Sequence, residues 1–334
     1  MSLRQVLRHC NAFLIHTAIE RVEYRPLSES EGLFAVVRSD QEGMLSLFHS
    51  NQESSNLIFS DLVATQHSYV LVTSINWIYE PSCQFSILAA GRSDGRVILF
   101  HLREDQILSV SCLDCGIRER VLHVRVASSF TAVILYPNSI LTTIPLSSSQ
   151  PSRVFSYIGS AVDIATAPFK GELACILFGS FYAACFPIPQ TQVSSIRLGS
   201  YLAQFRPRKD SQPSHSIIKL EPSHVLSDPG RMAQTVALHP RSSGTVCIAD
   251  NLGRVSLMRI PDLVVLKIFK GFRNAAVGIF DHIAIHSTLR GLLEVISGKV
   301  NKRFELCGKV RLTGGLIITE AMGILKYEDT DPES

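Results

Sequence analysis

A short apolar run, a polar turn carrying Gly or Asn, and a second, alternating apolar run recur along the chain, and each copy reads as a β-hairpin. The clearest are Ile87 to Phe100 (ILAAGRSDGRVILF) and Val246 to Ile260 (VCIADNLGRVSLMRI), which share Gly-Arg-Val-x-Leu after the turn. Weaker copies run from Phe34 to Phe48, Thr131 to Leu146, Leu173 to Phe186, Ile283 to Ile296 and Leu316 to Tyr327. The turns are regularly spaced. Gly43 to Gly95 is 52 residues, Gly95 to Asn138 is 43, Asn138 to Ser180 is 42 and Gly253 to Gly291 is 38. These distances centre on the period of about 40–45 residues that belongs to a four-stranded blade. A lone blade cannot cover its own two faces, so the sheets must stack radially and close on one another.

Seven hairpins therefore imply an all-β, WD-repeat-like β-propeller of about seven blades, with residues 1–334 forming one domain. Gly291 to Gly323 is only 32 residues, which leaves an incomplete ring open as an alternative. Ser180 to Gly253 is 73 residues, one period plus about 30. The stretch 206–230, with Pro at 207, 213, 222 and 229, accounts for the excess and reads as a loop insertion. Residues 328–334 read as a disordered polar tail. Neither sustained helical periodicity after the first 25 residues nor βαβ alternation is present to support a solenoid or a nucleotide-binding sheet.

With 46% hydrophobic and 18% charged residues the chain can bury a large core. Its formal charge of +3 gives no argument for nucleic acid, but the charge is unevenly spread. Between Arg259 and Arg311 ten Lys/Arg face four acids, a local +6, so the remainder carries −3. The eight cysteines lie mostly inside apolar runs, which suits buried thiols in a reducing compartment rather than a disulfide framework. Without a secretory signal in the sequence, the expected location is the cytoplasm. Two uncharged runs, Val126 to Ser152 and Leu173 to Ile196, are split by Pro, Gly and Ser into pieces shorter than the roughly 20-residue membrane-spanning helix. Buried strands explain them better.

Motifs of bond chemistry reduce to structural readings. Gly91-Arg92-Ser93-Asp94-Gly95 matches the G-x-S-x-G nucleophile elbow, which needs a helix after the serine; here Arg96 to Phe100 alternates as a strand, so a hairpin turn is expected. Cys112 and Cys115 have the spacing of half a zinc site, without a second half. His101, His123, His239, His282 and His286 lack metal-ligand spacing, and neither a P-loop nor a dinucleotide fingerprint occurs. No catalytic residue, metal or cofactor is expected.

From Asp250 onward, Asp250-Asn251-Leu252-Gly253-Arg254-Val255, then Phe269-Lys270-Gly271-Phe272-Arg273-Asn274-Ala275, then Arg290-Gly291-Leu292-Leu293-Glu294-Val295 succeed one another. In order and spacing they resemble the N-terminal domain of the non-catalytic, regulatory subunit of the Rab-three GTPase-activating complex. Supporting segments are Ala90-Gly91 to Leu99, Leu135-Tyr136-Pro137 and Gln204 to Arg208, and the resemblance covers roughly residues 30–315. Phe269 and Ile296 stand where that family usually has Trp, and Leu289-Arg290 keeps one of two turn arginines. The resemblance implies a cytoplasmic adaptor, not an enzyme, whose partners are a Rab GTPase-activating catalytic subunit and a Rab GTPase in membrane traffic. Lys270, Arg273 and Arg290, in the basic stretch, are the candidate partner-binding residues. Two other readings remain: a phosphoinositide-binding propeller in peripheral contact with anionic membrane, and a generic adaptor without a Rab connection.

Overall fold

The computed structural model describes residues 2–5, 19–26, 32–38, 44–50, 55–60, 70–78, 86–104, 106–127, 131–146, 152–189, 217–239, 244–297, 300–308, 310–313, 316–319 and 323–328. These form 29 strands in seven sheets. Blade 1 is β2–β5 (Ile19–Pro26, Gly32–Arg38, Met44–Ser50, Ser55–Ser60) after β1 (Ser2–Gln5). Blade 2 is β6–β9 (Val72–Ile78, Ser86–Arg92, Val97–Arg103, Gln106–Leu113). Blade 3 is β10–β13 (His123–Ala127, Thr131–Tyr136, Ile140–Pro145, Arg153–Ser156). Blade 4 holds β14–β16 (Ala161–Phe169, Glu172–Gly179, Tyr182–Pro187) and β18 (His224–Leu226), whereas β17 (Ile217–Lys219) joins blade 3 as a fifth strand. Blade 5 is β19–β22 (Ala233–Leu238, Thr245–Asp250, Arg254–Arg259, Val264–Lys270). Blade 6 is β23–β26 (Ala275–Ile279, Ile283–Ser287, Leu292–Ser297, Val300–Glu305). Blade 7 is β27–β29 (Val310–Thr313, Leu316–Thr319, Gly323–Glu328), with β1 as its fourth strand.

The seven hairpins read from the sequence are the two middle strands of the seven blades. Their apolar runs are continuous because both faces of a middle strand are covered, each by a different neighbour. In β7, Ile87 and Ala89 pack with Ile134 and Tyr136 of blade 3, while Leu88 and Ala90 pack with Val37 and Leu45 of blade 1. The same alternation sends Val246 and Ile248 toward blade 4 and Cys247 and Ala249 toward blade 6. Each of the seven blade junctions has its own core cluster, including one that joins Val22, Phe34 and Val36 of blade 1 to Leu316 and Ile318 of blade 7.

The ring closes. The innermost strands β2, β6, β10, β14, β19, β23 and β27 adjoin in sequence, and β27 returns to β2. Short spacing before the last hairpin reflects a blade completed from elsewhere: β1 pairs antiparallel with β29, from Ser2 opposite Glu328 to Gln5 opposite Leu325. Side chains bridge the inner strands of successive blades. Arg125 donates to the Asp163 carboxylate at 3.1 Å and to the Ile164 carbonyl at 3.1 Å, Arg25 donates to the Ile78 carbonyl at 2.6 Å, and the Thr235 hydroxyl donates to the Ala275 carbonyl at 2.7 Å.

The expectation of a loop over 206–230 needs correction in its second half. Residues 206–216 lie outside the described residues, but 217–226 carry two strands. β17 runs parallel to β13, and β18 pairs antiparallel with β16, supplying the outer strand of blade 4. The segment therefore crosses from one blade edge to the next. Of the expected tail, Glu328 ends β29 and 329–334 lie outside the described residues.

Candidate functional site

Strand direction sorts the loops onto two faces. In each antiparallel blade, counting outward, the turn between the second and third strands lies on the same face as the connection to the next blade. On this face the turns are held by a repeated device. The Ser93, Ser180 and Asn251 amides donate to the Leu71, Ser160 and Met232 carbonyls of the preceding connection, at 2.9, 3.0 and 3.1 Å. The side-chain oxygens of Ser93, Ser180 and Asn251 accept from those residues' amides in return, at 2.9, 3.0 and 2.9 Å. Ser93 is thus a turn clamp, and a strand follows it rather than a helix.

Blade 5 adds an ionic layer. Asp250, with a side chain 0% exposed, accepts from the Leu252 and Arg254 amides at 3.0 and 2.8 Å and from the Arg231 and Arg254 guanidinium groups at 2.8 and 3.1 Å. Asp228 pairs with the same two arginines at 3.2 and 2.8 Å. Burial alone would raise the Asp250 pKa, but these hydrogen bonds outweigh it and hold the carboxyl below its ordinary range. Arg254 also lies over the Tyr182 ring, whose hydroxyl donates to Ser256 at 2.7 Å. These charges are engaged in holding blade 4 to blade 5.

Lys270, Arg273 and Arg290 differ from them. All three are exposed and make no ion pair among the described residues. The fold brings them to one patch. Lys270 ends β22 opposite Arg254, and the next two amides, of Gly271 and Phe272, donate to the Gly253 carbonyl at 2.9 Å. The Arg273 side chain lies against Gly253, and the Arg290 guanidinium reaches across from the blade 6 turn toward Gly271. Leu252 and Leu289 stand exposed beside them, Leu289 at 72%. Elsewhere in the basic stretch Arg259 is spent on Asp262 and Arg303 on Glu294. Sequence reasoning named the three residues as candidates, which the fold places in one patch, but missed the Asp228–Arg231–Asp250–Arg254 network that separates structural cations from unengaged ones. Asp-Pro-Gly-Arg before one strand and Asp-Asn-Leu-Gly-Arg after another were its only signal.

Cys112 is exposed on β9 and Cys115 is buried, where burial raises its thiol pKa. Among the described residues no group of three His, Cys, Asp or Glu could hold a metal ion, and no helix is long and apolar enough to cross a membrane.

Residues 191–282 match a family model described as the Rab3 GTPase-activating protein regulatory subunit N-terminus. The match supports the resemblance read from the sequence, and its described part takes in β17, β18, all of blade 5 and the first strand of blade 6. No curated protein matches the chain. Among solved structures, the WD40 β-propeller domain of Doa1 aligns with a TM-score of 0.57 at 11% identity, covering 95% of both chains. A chain of the mitotic checkpoint complex aligns with a TM-score of 0.54 at 12% identity, over 94% of this chain and 95% of that one. At such identities the likeness shows the fold, a WD40-like propeller.

Proposed function

We propose that the chain is a cytoplasmic, non-catalytic regulatory and scaffolding subunit of a Rab GTPase-activating assembly, binding the catalytic subunit, a Rab GTPase, or both. The observation that carries this reading is the patch of Lys270, Arg273 and Arg290: exposed cations, unpaired among the described residues, and set beside Leu252 and Leu289. Lys270 and Arg273 fall within the segment that the family model matches. Cations of this kind steer an acidic partner into register and speed its association, and exposed leucines supply the apolar contact that slows release. No bond-making step is assigned to this chain.

The test is the triple variant Lys270→Glu, Arg273→Glu and Arg290→Glu, compared with wild type by circular dichroism and by binding to a Rab GTPase-activating catalytic subunit at two salt concentrations. Slower association with a retained spectrum and a weaker dependence on salt is the expected result. Unchanged association would remove this face from the function. The exposed Leu289 beside Arg290 also favours a second reading, contact with an anionic phospholipid surface. Loss of liposome binding with retained protein binding would select it.

A further inference from the structure

The two faces of the propeller differ in what their turns expose. On the face that carries the turn clamps, Leu71 stands at the connection from blade 1 to blade 2, Ile158 at that from blade 3 to blade 4 and Met232 at that from blade 4 to blade 5. Leu252 and Leu289 stand on the middle turns of blades 5 and 6. All are exposed, Ile158 at 69%. Among the described residues, the turns of the opposite face expose no large apolar side chain, and their exposed charges are Glu104, Lys170, Asp262 and Asp281. Charge divides the same way. Arg120, on the connection from blade 2 to blade 3, is exposed and makes no ion pair among the described residues, as with Lys270, Arg273 and Arg290. The acids of this face are already engaged: Asp94, Asp114, Asp228 and Asp250 each hold an arginine, and Glu119 is half-buried.

We infer that this whole face lies flat on an anionic phospholipid surface, its apolar turn residues entering the headgroup layer and its cations meeting lipid phosphates and carboxylates. The inference rests on the lipid reading of the Lys270, Arg273 and Arg290 patch and extends it to blades that the patch does not reach. Geometry selects the occupant. Leu71, Arg120, Ile158, Met232 and Leu289 follow one another round the closed ring, and the clamps tie their supports down: the Leu71 and Met232 carbonyls accept from Ser93 and Asn251, and the Ser160 carbonyl from Ser180. Tips spread round a ring are met together by a target that is flat across the width of the propeller. A bilayer is flat on that scale, whereas a groove or a single helix of a partner protein would serve tips gathered in one place. Single apolar side chains buried at headgroup depth, with long cationic side chains beside them, are what such a surface holds. Anionic lipid then favours this face over the opposite one, whose exposed acids it would repel.

Sedimentation of the full chain with vesicles tests this. Wild type should bind phosphatidylcholine vesicles that contain phosphatidylserine, less so as salt rises, and should bind phosphatidylcholine alone weakly. Ile158→Ser and Arg120→Glu lie outside the Lys270, Arg273 and Arg290 patch. Each should weaken binding to the anionic vesicles about 3- to 30-fold with an unchanged circular dichroism spectrum. Glu104→Gln, on the opposite face, should leave it unchanged. The protein has one tryptophan, Trp77, which is partly buried, so Ile158→Trp adds a second emitter. That variant should bind more tightly, and brominated lipid should quench its added emission. Absence of wild-type binding to anionic vesicles overturns the inference and leaves the patch as a protein-binding site. Binding that the triple patch variant abolishes but Ile158→Ser and Arg120→Glu leave unchanged also overturns it, since the patch alone would then suffice. Weaker binding of those two variants to the catalytic subunit, with vesicle binding intact, overturns it in favour of a protein that covers the face.

Discussion

Gly95 and Gly253 occupy equivalent turns in blades 2 and 5, yet alanine at the two sites should differ in cost. Both have left-handed backbone, with φ of +89° and +88°, so each substitution carries about 1–2 kcal/mol of conformational strain. The surroundings then separate them. A methyl at Gly95 would overlap the Ile117 carbonyl oxygen, which is backbone in a connection pinned by Asp114 hydrogen bonds, and the Tyr136 hydroxyl fixes the turn by donating to the Gly95 carbonyl at 3.0 Å. Neither side yields cheaply, which adds about 1–3 kcal/mol of overpacking. At Gly253 the methyl meets the Arg273 Cγ at 2.8 Å, part of an exposed flexible side chain, with the Arg273 amide nitrogen at 3.1 Å. Gly95→Ala should cost about 2–5 kcal/mol and Gly253→Ala about 1–2.5 kcal/mol. Gly171→Ala is the control: φ is +83° and nothing lies within 4 Å of the added carbon, so only the strain of about 1–2 kcal/mol applies. Urea denaturation of the three variants, compared at constant m-value, measures the series. Equal costs at Gly95 and Gly171 would refute the claim that backbone overlap decides the difference.

Removing the Asp250 carboxylate strands two partly buried amides and two arginines that keep only Asp228, so Asp250→Ala should lose about 2–4 kcal/mol at neutral pH and Asp250→Asn about half of that. Because the folded state holds this carboxyl below its ordinary pKa, the stabilisation is complete above the unfolded value near pH 4 and fades as pH falls through the folded one. The wild-type advantage over Asp250→Ala in urea melts should therefore shrink on going from pH 5 to pH 2.5; an advantage independent of pH would mean that the charge is not what matters. Replacing residues 206–216 with a Gly/Ser linker should leave the thermal melt nearly unchanged, whereas extending the replacement through Leu226 removes the outer strands β17 and β18 and should lower it clearly. Equal melts for the two replacements would show that these strands contribute nothing.

The middle strands were legible because a blade buries them on both sides, and runs such as Ile87 to Ala90 and Val246 to Ala249 leave no other reading. Outer strands were not. A three-residue strand like His224–Leu226 has no period to detect, and Ser2–Gln5 pairs with a partner some 320 residues away, beyond any local pattern. The charge imbalance singled out one region of the surface, but its count mixed Arg259 and Arg303, which hold their own carboxylates, with Lys270, Arg273 and Arg290, which hold none among the described residues. Net charge sums what a structure divides.

The pairing of β1 with β29 sets how the ring responds to pulling. Ser2 lies opposite Glu328, so tension applied to the two strands from their outer ends acts on the same end of the ladder. It loads one residue pair at a time and peels the latch, where a pull from opposite ends would load all the hydrogen bonds together and shear it. Among the described residues four pairs hold it, from Ser2 to Gln5. Tension on these two strands would therefore open the ring at its seam. A partner that tugged on either flank would open blade 7 while the six other blades kept their shared cores.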